Sequence, residues 1–352
     1  MDCFAEPVSG PRVRADPLAR NDVENTAMIP PDLPAELKAA LDTKLEGRSR
    51  GDVAARAAAI SKTYRDGGGS AAIRSETDTL AYALARMPAT YAAVSASLNA
   101  LSEARPDFAP KTLLDTGAGP GTASFAAAQA FPSLTSFTLV DANPALRALA
   151  LELSHGSTRL GDLTYEAGEA LAALAKAEAA DLVVASYLIG EIAEAERAAL
   201  AAAMWARTRD VLLIIEPGTP AGYVRILAAR AQLIGAGAQV AAPCPHEANC
   251  PLQPPDWCHF SQRLARSRAH KQVKGADVPF EDERFSYCVL TRNPAMARRY
   301  RVLAQPTVGK AEISAKLCTV DGLAIAKVPR RDRGAYARAR HWRWGNAVNE
   351  KD

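Results

Sequence analysis

Asp115-Thr116-Gly117-Ala118-Gly119-Pro120-Gly121-Thr122 is the stretch that decides how this 352-residue sequence folds. It follows an apolar run at 112–114 and precedes an alanine-rich run at 122–130, so it reads as the turn from a strand into a helix. Its three glycines let the backbone turn tightly and approach a ligand where any side chain would collide. Outward from this turn, between 111 and 220, short apolar runs at 137–140, 163–165, 182–185 and 211–215 alternate with helical stretches from Pro144, over 169–177 and over 193–205. That alternation predicts a doubly wound α/β sheet. Upstream, 33–104 reads as helices interrupted at Gly67-Gly68-Gly69. Downstream come a helix near 223–234, then a Pro- and Cys-rich stretch at 241–258 without periodicity. Strand character at 285–290, 301–307 and 312–328 is expected to complete the sheet as its final antiparallel hairpin. No internal repeat is present.

The spacing of the glycines separates two kinds of cofactor. A dinucleotide fingerprint, G-x-G-x-x-G, delivers a helix N-terminus to a pyrophosphate. Here the pattern is G-x-G-x-G with an acid two residues ahead, which resembles motif I of class I methyltransferases. The acid suits a sulfonium ligand that carries a free amino group and no phosphate. Asp141, twenty residues after Gly121 at the end of the next strand, can accept both ribose hydroxyls of an adenosyl group. The expected cofactor is S-adenosylmethionine, on Asp115, Gly117, Gly119, Gly121 and Asp141, with Glu216 in the turn that closes the fifth strand. Glu166 and Glu169 follow the third strand as candidates for the adenine. The run Ser186-Tyr187-Leu188-Ile189-Gly190-Glu191 follows the fourth, where methyltransferases place groups that hold the substrate; it is not the Asn-Pro-Pro-Tyr pattern used on exocyclic base amines. No catalytic residue is singled out, because methyl transfer needs alignment more than acid–base machinery. The same fact leaves room for a domain that has kept the fold and lost the transfer.

Composition excludes a membrane-spanning protein: no apolar run approaches the roughly 20 residues that a spanning helix needs. The first thirty residues hold Asp2, Glu6, Asp16, Asp22 and Glu24, unlike a secretory signal or a transit peptide, and read as a disordered tail on a cytosolic protein. The net charge of +3 hides an asymmetry. Residues 259–275 carry five Lys or Arg and no acid, and 291–352 carry fourteen against five, which leaves the remainder acidic. A basic end on an acidic body points to a polyanionic partner.

Cysteines add a second constellation. Cys244, Cys250 and Cys258 lie in the Pro-rich stretch, Cys288 and Cys318 in strands downstream, and Cys3 in the tail. In a cytosolic chain, three cysteines in a segment lacking its own core suggest thiolate ligands, with a fourth from elsewhere. Four thiolates suit tetrahedral zinc or an iron–sulfur cluster, and His246 and His259 are nearby alternatives as zinc ligands.

At this point the residues carry a family resemblance. Pro243-Cys244-Pro245-His246, Cys250-Pro251-Leu252, Trp257-Cys258-His259-Phe260-Ser261-Gln262-Arg263 and Glu281-Asp282-Glu283-Arg284-Phe285-Ser286-Tyr287 resemble the Rsm-type family of methyltransferase-like proteins of the mitochondrial and bacterial small ribosomal subunit. Tyr82, the run from Arg86 to Tyr91, the glycine loop, Glu216-Pro217-Gly218, Leu317-Cys318-Thr319 and Trp344-Gly345 extend the likeness over most of the chain from Leu33. The resemblance implies a 4Fe-4S cluster on Cys244, Cys250, Cys258 and Cys318, selecting Cys318 over Cys288, with zinc as the alternative metal. It also implies action on the small ribosomal subunit and its rRNA.

The basic residues then become candidates for RNA: Arg263, Arg266, Arg268 and Lys271, and Arg330, Arg331, Arg333 and Arg340, with Trp342 and Trp344 available for stacking. The expected organisation is a tail at 1–30, a helical N-terminal module at 31–108, a Rossmann-like class I methyltransferase core at 109–240, a Cys-rich, basic, metal-binding insert at 241–284, final strands with a basic segment at 285–345, and a tail at 346–352. The leading functional reading is a small-subunit assembly or translation factor. Its alternatives are an active S-adenosylmethionine-dependent rRNA methyltransferase and a zinc-containing small-molecule methyltransferase. The chain is expected to be ribosome-associated in the cytoplasm, or in the mitochondrial matrix of a eukaryote, monomeric off the ribosome, and without a membrane or DNA partner.

Overall fold

The computed structural model describes residues 28–160, 162–294 and 298–349; the expected tail up to residue 27, with Cys3, and residues 350–352 lie outside these. Three helices come first: α1 (Ala35–Leu45), α2 (Arg50–Arg65) and α3 (Glu76–Ala104). A capping box fixes the start of α3, Ser75 Oγ accepting from Asp78 N while Asp78 Oδ2 accepts from Ser75 N. Then β1 (Thr112–Thr116), α4 (Thr122–Ala130), β2 (Ser136–Asp141), α5 (Pro144–His155), β3 (Leu163–Ala167) and α6 (Ala170–Leu174) alternate. They are followed by β4 (Ala180–Ser186), α7 (Glu194–Ala206), β5 (Thr208–Pro217), α8 (Pro220–Gly235) and β6 (Gln239–Ala242). After a segment without regular structure come β7 (Phe260–Ala265), α9 (Arg268–Lys274) and β8 (Phe280–Thr291). The chain ends with β9 (Tyr300–Val302), β10 (Thr307–Val308), β11 (Glu312–Thr319), β12 (Gly322–Pro329), α10 (Arg333–Ala339) and β13 (Ala347–Val348).

The main sheet runs β3-β2-β1-β4-β5-β8-β6, with β7 pairing the other part of β8. The first five strands are parallel and β8 is antiparallel to β5, Leu213 facing Val289. Alternate residues of each central strand serve opposite faces. Leu113, Leu182, Val184, Val211, Leu213 and Ile215 pack into one core with α3, α4 and α5, whereas Leu114, Val183, Ala185, Leu212 and Ile214 pack into another with α7 and α8. Burial on both sides is why these strands read as unbroken apolar runs.

Arg105, immediately after α3, locks that helix to the sheet. It is 4% exposed, and its guanidinium donates to Asp107, to Asp210 of β5 and to Thr291 Oγ1 of β8. Its carboxylate partners hold its pKa above the ordinary arginine value. Arg105→Ala leaves the Asp210 carboxylate without its charged partner, with only the Thr291 hydroxyl still donating to it, and should lower unfolding stability by about 3 kcal/mol, read as a shift of the urea midpoint at unchanged slope.

Two expectations are corrected here. Of the last strands only β8 joins the main sheet. Residues 300–348 form a second sheet, β10-β11-β9-β13 with β12 on β11, closed over its own core of Val302, Ile313, Leu317, Val328, Ala339 and Trp342. The sequence pattern fixed strand character but carried nothing about which sheet each strand joins.

The second correction is the Cys-rich metal-binding insert, which the fold does not contain. Among the described residues no three His, Cys, Asp or Glu side chains converge to hold a metal ion. Cys244, Cys250 and Cys318 do lie near enough to Cys258 to raise its thiol pKa further, but burial is the larger cause, as it is for Cys244 and for Cys318, pushed up to about 12. Cys288 is packed in the core. The segment between β6 and β7 is pinned by protein groups instead. Arg230 donates to His246 O (2.6 Å), Arg301 Nε to Pro243 O (3.1 Å), Trp257 Nε1 to Gly218 O (3.0 Å) and Tyr223 OH to Cys250 Sγ (3.1 Å). Glu247 pairs with Arg298 and Asp256 with Lys316. Three cysteines in a stretch without periodicity suggested a metal staple; Tyr223, Arg230, Arg298, Arg301 and Lys316 from elsewhere in the fold, with Trp257 of the stretch itself, hold it. Nothing among the described residues supports zinc or a 4Fe-4S cluster on Cys244, Cys250, Cys258 and Cys318.

Candidate cofactor site

The turn after β1 owes its shape to glycine: Gly117, Gly119 and Gly121 have φ of +69°, +53° and +78°. A Cβ on Gly117 would also lie 2.7 Å from Leu188 Cδ1. The amides of Gly117 and Ala118 donate to Val140 O, which ties the turn to the end of β2. There Asp141 Oδ2 accepts from Gly119 N (2.9 Å) and Oδ1 from Asn143 N (2.7 Å). Burial pushes the Asp141 carboxyl up while these two amides pull it down. Tyr165 OH donates to Gly119 O from β3 (2.8 Å).

Above these strand ends lies a cavity of about 1810 Å³, lined by Gly117, Gly119, Asp141, Glu169 and Glu216 on the sheet side. Clefts at the carboxyl ends of parallel strands are where α/β sheets bind ligands. A cradle that side chains would fill, with a carboxylate beside it, fits an adenosyl cofactor of the S-adenosylmethionine type.

The other candidates divide. Asp115 and Gly121 do not line the cavity. Asp115 is fully buried, and its Oδ2 accepts from Ser124 N (3.1 Å) and Ser124 Oγ (2.7 Å), bracing the start of α4. Its Oδ1 has no partner among the described residues, and burial pushes its pKa up to about 7 against the pull of Ser124. Glu216 lines the cavity, but Arg225 (2.6 Å) and Gly190 N (3.3 Å) hold its carboxylate.

The far wall comes from the N-terminal helices and was not assigned to the site from sequence. Asn143 caps α5, its Oδ1 accepting from Ala145 N and Leu146 N, while its Nδ2 donates to Ser70 O (2.8 Å) and Ile73 O (3.0 Å). Glu191 Oε2 accepts from Ser70 N (2.9 Å), and Gly69 has no room for a Cβ beside that carboxylate. The loop 67–73, which lines the cavity, is thus clasped by residues that follow β2 and β4. Asn143→Ala removes the cap and both loop bonds, and should weaken binding of an adenosyl ligand by about tenfold in a calorimetric titration.

The basic candidates separate as well. Arg263 is paired with Asp282 through two bonds (2.7 and 2.8 Å) with Phe280 beneath its guanidinium, and Arg266 and Lys274 share Glu281. The charge of 259–275 is largely neutralised by acids on β8, across the hairpin. Arg268 is exposed and Lys271 half-buried. Arg330, Arg331, Arg333 and Arg340 are exposed and make no ion pair among the described residues. The tryptophans pack inward: Trp342 is buried, and Trp344 Nε1 donates to His259 O (2.9 Å) with its ring edge-on to His259.

Strand order 3-2-1-4-5 with an antiparallel strand inserted beside β5, and a glycine turn at the end of β1, define a class I methyltransferase fold. The family model described as mitochondrial small ribosomal subunit Rsm22 matches residues 76–349, and the chain belongs to that family. It is 30% identical over 291 residues to the human "Ribosome assembly protein METTL17, mitochondrial", covering 77% of this chain and 62% of that protein. It is 26% identical over 328 residues to the fission yeast (Schizosaccharomyces pombe) "Rsm22-cox11 tandem protein 2, mitochondrial", covering 78% of this chain and 43% of the other. The chain therefore spans roughly two-fifths to three-fifths of the curated relatives it matches. Among solved structures, magnesium protoporphyrin IX methyltransferase from Synechocystis with bound SAH is 11% identical, covers 73% of this chain and 100% of its own, and superposes with a TM-score of 0.40.

Proposed function

We propose that the chain is an S-adenosylmethionine-dependent rRNA methyltransferase acting in assembly of the small ribosomal subunit. The observation that carries this reading is the glycine cradle of Gly117 and Gly119 opening, beside Asp141, into a cavity large enough for more than the cofactor. Gly117, Gly119 and Asp141 hold the cofactor, whose sulfonium supplies the methyl group. Asp115 and Gly121 keep the turn in place behind it. Membership in the Rsm22 family and the likeness to METTL17 support the ribosomal setting and a mitochondrial, ribosome-associated location. Among the described residues no helix is long and apolar enough to cross a membrane.

RNA contact falls to the free cations Arg330, Arg331, Arg333 and Arg340 around α10, with Arg268 and Lys271. Replacing Arg330, Arg331 and Arg333 together by alanine should weaken binding to a small-subunit rRNA fragment and flatten the salt dependence of log K by about 2. An unchanged slope removes these residues from the interface. Methyl transfer to isolated subunits separates the enzyme from an assembly factor that binds the cofactor without transfer.

A further inference from the structure

The cavity is larger than one cofactor needs, since pockets that enclose a single small ligand run to about 300–1,000 Å³. Its surplus lies against the N-terminal helices. There Tyr64 of α2 and Tyr82 of α3 approach each other at 6.2 Å between ring centroids, and both line the space. Arg86, one turn beyond Tyr82, and Tyr187, just after β4, line it too.

Tyr187 is the informative residue. Its φ of +59° makes it the one non-glycine residue in the left-handed region among those described, a conformation costly for an aromatic L-residue. Several contacts enforce it. Tyr187 N donates to Ile215 O (2.7 Å) and its OH to Glu283 Oε1 (2.8 Å), while Arg86 stands 6.0 Å over its ring and 3.7 Å from the same Glu283. Glu283 thereby holds the ring by a hydrogen bond and attracts the guanidinium, while both groups line the cavity. Backbone strain maintained by three separate elements at a cavity wall is spent on presenting that side chain.

We propose that this lobe, lined by Tyr64, Tyr82, Arg86 and Tyr187, is an acceptor subsite for a single unpaired nucleotide swung out of an RNA strand. Aromatic rings offer stacking to any base, and a guanidinium offers charge-assisted bonds to a phosphate. A base must leave its stack to reach a buried methyl donor. The proposal rests on the cofactor reading above and adds the recognising residues, which come from the helical module and the end of β4 rather than from the glycine cradle.

The test uses the full chain saturated with S-adenosylhomocysteine, titrated with each of the four ribonucleoside 5′-monophosphates and followed by saturation-transfer NMR. At least one mononucleotide should bind the loaded protein. Arg86→Met should weaken it by about tenfold, and Tyr187→Ala should weaken it as much. Tyr187→Phe, which keeps the ring, should retain most of the affinity. S-adenosylhomocysteine affinity, which also reports correct folding of each variant, should stay unchanged in all three. Binding of no mononucleotide to the loaded protein, or equal binding by wild type, Arg86→Met and Tyr187→Ala, overturns the subsite. Failure of S-adenosylhomocysteine to bind the wild type overturns the cofactor reading itself, and the subsite with it.

Discussion

Gly117→Val is expected to abolish cofactor binding, raising the Kd for S-adenosylhomocysteine by about 100-fold or more while the chain stays folded. Two costs add. The backbone at residue 117 has φ of +69°, and a β-branched residue there pays the left-handed penalty that glycine escapes. A side chain would also start 2.7 Å from Leu188 Cδ1, so it must push into the cavity or displace Leu188. A loss of about 3 kcal/mol corresponds to that factor. Gly119→Ala is the graded control: its φ is +53°, but its nearest non-local atom would lie 3.8 Å from the new Cβ, so only the conformational term applies and about tenfold is expected. Calorimetric titration of both variants reads the two terms separately. Binding of the valine variant within threefold of wild type removes the turn from the cofactor site.

Asp115→Asn should change how stability depends on pH, by as much as about 4 kcal/mol at the alkaline end. Burial lifts the Asp115 carboxyl from the ordinary aspartate value near 3.8 to about 7, and Ser124, donating through its amide and hydroxyl, offsets only part of that rise. A group whose folded pKa lies above its unfolded one stabilises fully below the unfolded value and loses that contribution as pH rises through the folded value. The wild type should therefore lose stability relative to Asp115→Asn from about pH 4 to pH 7 and run parallel to it above pH 8. Urea unfolding of both proteins at pH 4.5, 6 and 8 measures the difference. Since the amide oxygen can still accept from Ser124, the variant should keep α4 in place. A constant gap between the two proteins at all three pH values contradicts a buried, upshifted Asp115.

The local chemistry of the site was more legible in the sequence than its long-range assembly. Gly117, Gly119 and Asp141 stand out because a tight turn between strand and helix demands glycine, and because a carboxylate at the end of the next strand falls beside it. Asp115 reads as a ligand to the cofactor's amino group by pattern, yet its carboxylate is buried on Ser124, whose amide and hydroxyl in the first turn of α4 both donate to it. Asn143 and Glu191 were invisible as clasps, since their partners Ser70 and Ile73 lie about seventy residues away or more and are reached through backbone atoms that no pattern marks. Within the basic run at 263–274 the pairing of Arg263, Arg266 and Lys274 was invisible for a related reason: their partners Glu281 and Asp282 lie on the returning strand. The Cys-rich stretch misled through its lack of periodicity, which Arg230, Arg301 and Trp257 explain without a metal.

The most direct measurement of the central claim is methyl transfer to rRNA. Small subunits purified from cells lacking this chain would be incubated with S-adenosylmethionine labelled in its methyl group and with wild-type protein or Gly117→Val. Protease-resistant label should enter the rRNA with the wild type and not with the variant. Absence of label from the rRNA, with wild-type protein that binds the cofactor and the subunit, contradicts the enzyme and leaves a cofactor-binding assembly factor.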